Sequence, residues 1–221
     1  MPIAGRDADV GVTALVATSS TDEPATRSTG PGASTLIAGF VQITDASRRH
    51  FERDGGVDPV LFVEAVGSTT LVPSSDYTVN SVQGIFTWKL GADPSTGVYT
   101  ADIPFLTVSS VAGGREWGLN VEADMFEVST FGSSGWKQFQ PNLNGASVTI
   151  GRYWADSTFF DYMAVDALFV IELTPDSGDG STSARYEGFA RIGSDQTSAS
   201  VDAIVGETIN MVVDGKLYYT T

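Results

Sequence analysis

Cysteine is absent from this 221-residue chain, so no disulfide staples it and no thiolate serves as metal ligand or nucleophile. Histidine occurs once, at His50. That rules out a multi-histidine metal site and argues against a histidine-based triad. Its neighbours Arg48 and Arg49 mark His50 as a surface or pairing residue. Lysine occurs three times, and 12 Lys plus Arg face 27 Asp plus Glu, for a net charge of −15. Such a chain does not bind nucleic acid by counterion release, which needs basic patches. Aspartate outnumbers glutamate 18 to 9, so the acidity fits either a surface that repels a polyanion or adaptation to high salt. No apolar run approaches the ~20 residues of a membrane-spanning helix, and the N-terminus lacks the basic-then-apolar pattern of a secretory signal. Long Leu/Ala/Glu/Lys runs are missing as well, which leaves little helix to expect.

What is present is the vocabulary of strands and turns: 24 Gly and 9 Pro, abundant Thr, Ser and Val, and 12 Phe, 7 Tyr and 4 Trp. The length fits one large all-β domain or two small ones. Strands are expected at 5–17, 36–44 and 60–66, with the polar stretch 18–35 between the first two read as a long exposed loop. Residues 45–55 fit either a short helix capped by Asp45 or a strand. Residues 76–88 form a hairpin turning near Gln83-Gly84. In 97–108, Tyr99, Ala101, Ile103 and Phe105 share one parity, while Pro104 suggests an edge strand or a bulge. The segment 111–114 is a boundary. Residues 156–167 are the one convincing helix, capped by Asp156 or Ser157, with Phe159/Met163 and Phe160/Ala164/Ala167 at helical spacing. Strands follow at 168–173, 185–192, 198–204 and 208–213, with turns at 176–181 and 214–215.

The segment from Trp117 to Trp154 is the most patterned. Leu119, Val121 and Ala123 alternate with Asn120, Glu122 and Asp124; after a break near Asp124, Phe126 and Val128 resume the pattern. It returns as Ala146, Val148 and Ile150. This is the period of a half-buried strand. Between lies an aromatic-rich loop, Phe131–Pro141. Its Phe131, Trp136 and Phe139 fit three roles: covering one end of a barrel, docking on a neighbouring subunit as interface anchors, or forming a carbohydrate platform.

Catalytic patterns are missing. Gly132-Ser-Ser-Gly135 departs from the nucleophile elbow and has no helix after it. Asp176-x-x-Asp179 lacks the spacing and final Glu of an EF-hand and reads as a hairpin turn. Asp7-x-Asp9 reads as a solvated strand start. Among 27 acids, chance carboxylate pairs are expected, and none stands out as a glycosidase pair. No catalytic residue, metal site or cofactor is assigned, and the chain is read as a non-enzyme.

Residues 115–221 carry an ordered set of features: R-E-W-G-L-N-V-E-A-D-M-F-E-V-S-T-F-G-S-S-G-W-K-Q-F-Q-P-N-L, then A-S-V-T-I-G-R-Y-W, the short helix, V-I-E-L, R-Y-E-G-F-A-R-I and S-A-S-V-D-A-I-V. With the opening G-R-D-A-D-V-G-V-T, this set resembles the tail tube (major tail) proteins of long-tailed, siphovirus-like bacterial or archaeal viruses, over about half of the chain. The resemblance implies an antiparallel β-barrel or sandwich with one short flanking helix, formed by 1–17 and 114–221. Residues 18–113 are then a loop and β-rich insertion or elaboration. It further implies homo-oligomeric rings, usually hexamers, stacked into a DNA-conducting tube in the virion tail and assembled in the host cytoplasm. Partners would be other copies, the tape measure, terminator and tail-tip proteins, and viral DNA passing without specific binding; no membrane is involved. On this reading Phe131, Trp136, Lys137, Phe139 and Pro141 meet a neighbouring subunit. Phe159, Phe160 and Met163 lie on the flanking helix, and Glu122, Asp124 and Glu127 face the lumen. A capsid decoration or baseplate protein and a glycan-binding β-sandwich module are the alternatives.

Overall fold

The computed structural model describes residues 9–13, 18–28, 40–53, 58–65, 68–89, 98–128, 136–137, 139–175, 184–200 and 203–220. These residues are mainly antiparallel β-structure in two sheets, with one α-helix and two single 3-10 turns among them. They form two compact units: Met1–Val10, Ser110–Leu168 and Leu173–Thr221 in one, Gly11–Ser109 and Phe169–Glu172 in the other. Strands β1 (Asp9–Thr13), β9 (Val108–Ser110) and β12 (Phe169–Thr174) each contribute residues to both.

The second unit holds a seven-stranded sheet. Its strands are β2 (Thr18–Ser28), β3 (Phe40–Ile43), β4 (Val60–Ala65), β5 (Ser68–Leu71), β6 (Tyr77–Asn80), β7 (Ile85–Trp88) and β8 (Val98–Phe105), in the order β5-β4-β8-β2-β3-β7-β6. The alternation of Val41 and Ile43, Phe86 and Trp88, and Tyr99, Ala101 and Ile103 delivers these side chains to one buried cluster with Phe51, Leu61 and Tyr77. Its aromatic rings meet at centroid distances of 5.4–6.3 Å, mostly tilted or edge-on. The hairpin expected at 76–88 is β6–β7. Gly84 closes it at φ +63, where an added Cβ would stand 2.7 Å from the Arg49 carbonyl.

One expectation fails here, and two that offered alternatives are narrowed to one. The polar stretch at 18–35, read as a loop, contains the 11-residue strand β2. Pairing with both β3 and β8 satisfies its backbone, so it needs no hydrophobic pattern of its own. Buried Glu23 is answered by Ser20 and Arg48. Second, of the edge or bulge expected at Pro104, the edge is excluded, because β8 pairs with both β2 and β4, while the β2–β8 ladder has a register shift close by, between Ser20 and Glu23 opposite Ile103 and Ala101. Pro104 lies beyond the last residue that β4 pairs, Asp102, so its missing N–H costs no ladder bond on that side. Third, of the surface or pairing roles expected of His50, it has the pairing one: it is buried, with Nδ1 2.6 Å from the Val82 carbonyl and Nε2 2.9 Å from Glu172 Oε1. The ambiguous stretch at 45–55 contains a 3-10 turn, Ala46–Arg48, with Asp45 Oδ1 accepting from the Ser47 amide.

The first unit is built on β10 (Gly114–Glu127), β11 (Phe139–Tyr153), β13 (Arg185–Ser200) and β14 (Ala203–Val213), ordered β10-β11-β14-β13, with β15 (Tyr218–Thr220) also on β13. Opposed residues pack in register: Val148 faces Met211 and Ile150 faces Ile209, all buried. The strands expected separately at 185–192 and 198–204 are not separate. β13 runs unbroken through the polar stretch Gly193–Ser200 because β14 pairs with it to Ser200. The helix α1 is shorter than expected, Thr158–Ala164, and ends before Asp166, whose φ is +50. The turn at 176–181 lies outside the described residues.

Candidate functional site

The antiparallel pair β10–β11 leaves the rest of its sheet and continues as a two-stranded arm. Strand β14 pairs with β11 only from Ser147 to Tyr153, whereas β10 pairs with β11 out to Glu127↔Phe139. Phe139 and Pro141, expected in a loop, are strand residues: β11 starts six residues before the Gly145 start expected for the return strand. The break near Asp124 is a register shift between Ala123 and Met125, opposite Asn144 and Pro141.

Alternation on this arm does not produce burial. Every β10 residue from Asn120 to Glu127 is exposed. The apolar residues Val121 (60%), Met125 (58%), Phe126 (58%), Phe139 (57%) and Leu143 (67%) all stand in solvent. Trp136, at the far end, is 80% exposed. Beside it Lys137 reaches Glu127 Oε2 at 2.9 Å. Phe131 lies outside the described residues. An isolated two-stranded ribbon is marginal in water, and several large apolar side chains exposed along one such element make it the candidate interaction site. β10 is also the last strand of its sheet, with no partner beyond β11 among the described residues.

The acidic candidates lie on the same arm. Glu122 and Asp124 line an open cleft of about 280 Å³ with Asn120, Leu143 and Asn144, and Asn120 donates to Glu122. Glu127 is exposed and holds Lys137. On α1, Phe159 is buried, Met163 is half-buried, and Phe160 is 58% exposed. Ser157 occupies the cap position, but its side chain caps no helix amide; Asp156 Oδ1 accepts from the Thr158 amide instead, at 3.1 Å. Hydrogen bonds from the Thr158 hydroxyl and amide hold the Asp156 carboxyl below its ordinary pKa, with help from Arg152.

At the base of the arm lies a charged cluster that the sequence reading did not single out. Arg152 and Glu207 are both buried, and the Arg152 Nε–H donates to Glu207 Oε2. The same guanidinium donates to the Asp156 carbonyl at 2.9 Å and stands 4.6 Å from the Phe159 ring centroid. Asp195, on β13, adds a second carboxyl; burial, then the Glu207 charge, push its pKa up. The signal was in the alternation: Arg152 shares the parity of Val148 and Ile150, and Glu207 that of Ile209 and Met211. A charge on a buried parity implies a buried partner.

The Asp195 shift has a definite sign. Its protonated form is favoured in the fold, so that stability is fully present below the ordinary value of 3.8 and is lost as pH rises through the raised folded value. Asp195→Asn never ionises and retains a donor toward Glu207. It is expected to raise Tm at pH 7 and to leave Tm unchanged below pH 3.8, as thermal scans over a pH series would show. A lower Tm at pH 7 would refute this.

Among the described residues no helix is long and apolar enough to cross a membrane. No family model and no curated protein matches the chain by sequence. Two solved structures are similar in part. One is a chain from the tail of an empty GTA particle with C6 symmetry: 17% identity, TM-score 0.45, covering 52% of this chain and 87% of that one. The other comes from the virion of a native gene transfer agent (GTA) particle, with 17% identity, TM-score 0.44, and coverage of 52% and 89%.

Proposed function

We propose that this chain is a non-enzymatic structural subunit of a viral tail tube, whose copies join into stacked rings around a DNA-conducting channel. The observation that carries the reading is the β10–β11 arm, an extended ribbon with apolar residues exposed along it and a solvent-facing tryptophan at its end. A monomer gains nothing from such an element, whereas a neighbouring copy that covers it buries apolar area and satisfies the β10 edge. The strand pattern that resembles tail tube proteins contains this arm. With −15 per copy, a channel lined by this chain repels DNA and lets it slide. The same charge opposes assembly at low ionic strength, so polymerisation should rise with salt as the Debye length shrinks from about 10 Å at 0.1 M to about 3 Å at 1 M.

Electron microscopy of the purified chain across that salt range tests the proposal; rings or tubes are expected, and a monodisperse monomer throughout would overturn it. Trp136→Ala should weaken assembly by roughly 30-fold or more, the scale of an interface hot spot. Thermal stability of the monomer should be almost unchanged, since the side chain is 80% exposed. Equal loss of folding and assembly would return Trp136 to a role as barrel cover.

A further inference from the structure

We propose that the arm tip of one copy docks on the outward face of α1 of a second copy, an inference that rests on the tube-subunit reading. At 100° per residue, α1 has two apolar faces. Phe159, Tyr162 and Met163 point inward, and Phe159 is fully buried. Phe160, Ala164 and Val165 occupy an outward arc of about 140° and are exposed, Phe160 at 58% and Val165 at 66%. Asp161 lies inside that arc, and its carboxylate accepts only the Ser157 hydroxyl among the described contacts, at 2.9 Å. A helix of seven residues with bulky apolar groups on its solvent side is as unpartnered as the arm.

Reach identifies the occupant as another copy. β11 runs from Phe139 near the tip to Tyr153, next to the start of α1. At ~3.3 Å per residue the two ends of this strand stand roughly 45 Å apart. A tip held at that distance does not cover its own α1. Charge selects the tip over the flank of the arm. Between Asn120 and Leu143 the arm carries Glu122, Asp124 and Glu127 but one cation, Lys137, beside Trp136; its 2.9 Å pair with Glu127 is solvent-exposed and weak, so a docking carboxylate can share the ammonium. Around α1 stand Asp156, Asp161 and Asp166; Arg152 meets Asp156 and Arg191 meets Asp166, each at 3.3 Å, so Asp161 is the one of the three without a cation among the described residues. Docking tip-first places Trp136 and Phe139 on Phe160 and Val165 with Lys137 against Asp161; docking sideways would oppose carboxylates. The two patches differ and lie at opposite ends of one strand, so the contact is head-to-tail and propagates from copy to copy.

Charge reversal in the full chain tests this. Lys137→Glu and Asp161→Lys should each weaken assembly tenfold or more, and the double variant should recover to within about threefold of wild type. Both side chains are exposed, so thermal unfolding of each monomer should match wild type. Because the chain has no cysteine, Lys137→Cys combined with Asp161→Cys should give a ladder of disulfide-linked oligomers on mild oxidation, absent for either single variant. Failure of both rescue and ladder, in a protein that still forms rings and still loses them on Trp136→Ala, would overturn α1 as the receptor while the tube reading stands. A wild-type chain that never assembles would overturn both.

Discussion

Phe86→Ala is expected to cost about 3–5 kcal/mol, the usual range for removing a buried phenylalanine ring. Phe86 has no exposed surface and lies on β7, between β3 and β6. Its ring contacts Phe51 at 5.7 Å and Tyr77 edge-on at 5.4 Å, and Tyr77 in turn meets Trp88. Rings placed so interlock that neighbours cannot collapse into the space without breaking their own edge-to-face contacts, so the cavity term adds to the lost transfer energy. Phe86→Leu keeps most of the volume and should cost under about 1.5 kcal/mol. Urea unfolding of the full chain, followed by near-ultraviolet circular dichroism, reports on the aromatic packing. A loss below about 1 kcal/mol for Phe86→Ala would show that this cluster is not the stabilising core of its unit.

That cluster was largely legible in the sequence because each of its strands alternates. Tyr99, Ala101 and Ile103 are read straight off the period of two, and the β6–β7 hairpin announces itself through its glycine turn. The strand β2 was illegible for the opposite reason. Its Thr, Ser, Asp and Glu residues carry no apolar period, and it is held by backbone pairing, with β8 along Thr18–Ala25 and with β3 along Ala25–Ser28. Partners so distant in sequence leave no local mark. The extension of β13 past Ile192 was hidden in the same way. For the arm, the reverse error occurred: Leu119, Val121 and Ala123 alternate as a half-buried strand should, yet Val121 stands in solvent. The alternation is that of a buried face, and nothing among the described residues buries it.

The arm and α1 therefore pose one question: how a chain keeps two apolar surfaces in solvent without collapsing onto itself. Two features answer it. The arm's edge positions carry Glu122, Asp124 and Glu127, which repel premature sheet pairing between copies at low salt. The helix is anchored from beneath through Phe159 and the Asp156 loop, so its outward residues stay outward. The second feature leads to Arg152.

Arg152→Ala is expected to cost about 3–5 kcal/mol, because removing one partner of a buried ion pair strands the other. Arg152 and Glu207 side chains are each 2% exposed, so Glu207 would be left buried without its partner. The same substitution removes the bond to the Asp156 carbonyl and the stacking over Phe159, which frees α1 from its strand. Assembly should then fall further than stability alone explains, since the receptor face loses its fixed orientation. Replacing both charges, Arg152→Met with Glu207→Leu, leaves neither member of the ion pair buried alone and should recover most of the stability. It should not recover assembly, because methionine offers no donor to Asp156. Chemical denaturation and ring counts by electron microscopy on the same two variants separate these effects. If the double variant regained both, Arg152 would be a core residue with no part in holding α1. If it regained stability alone, the buried arginine sets the position of the helix on which, by our proposal, the next copy docks.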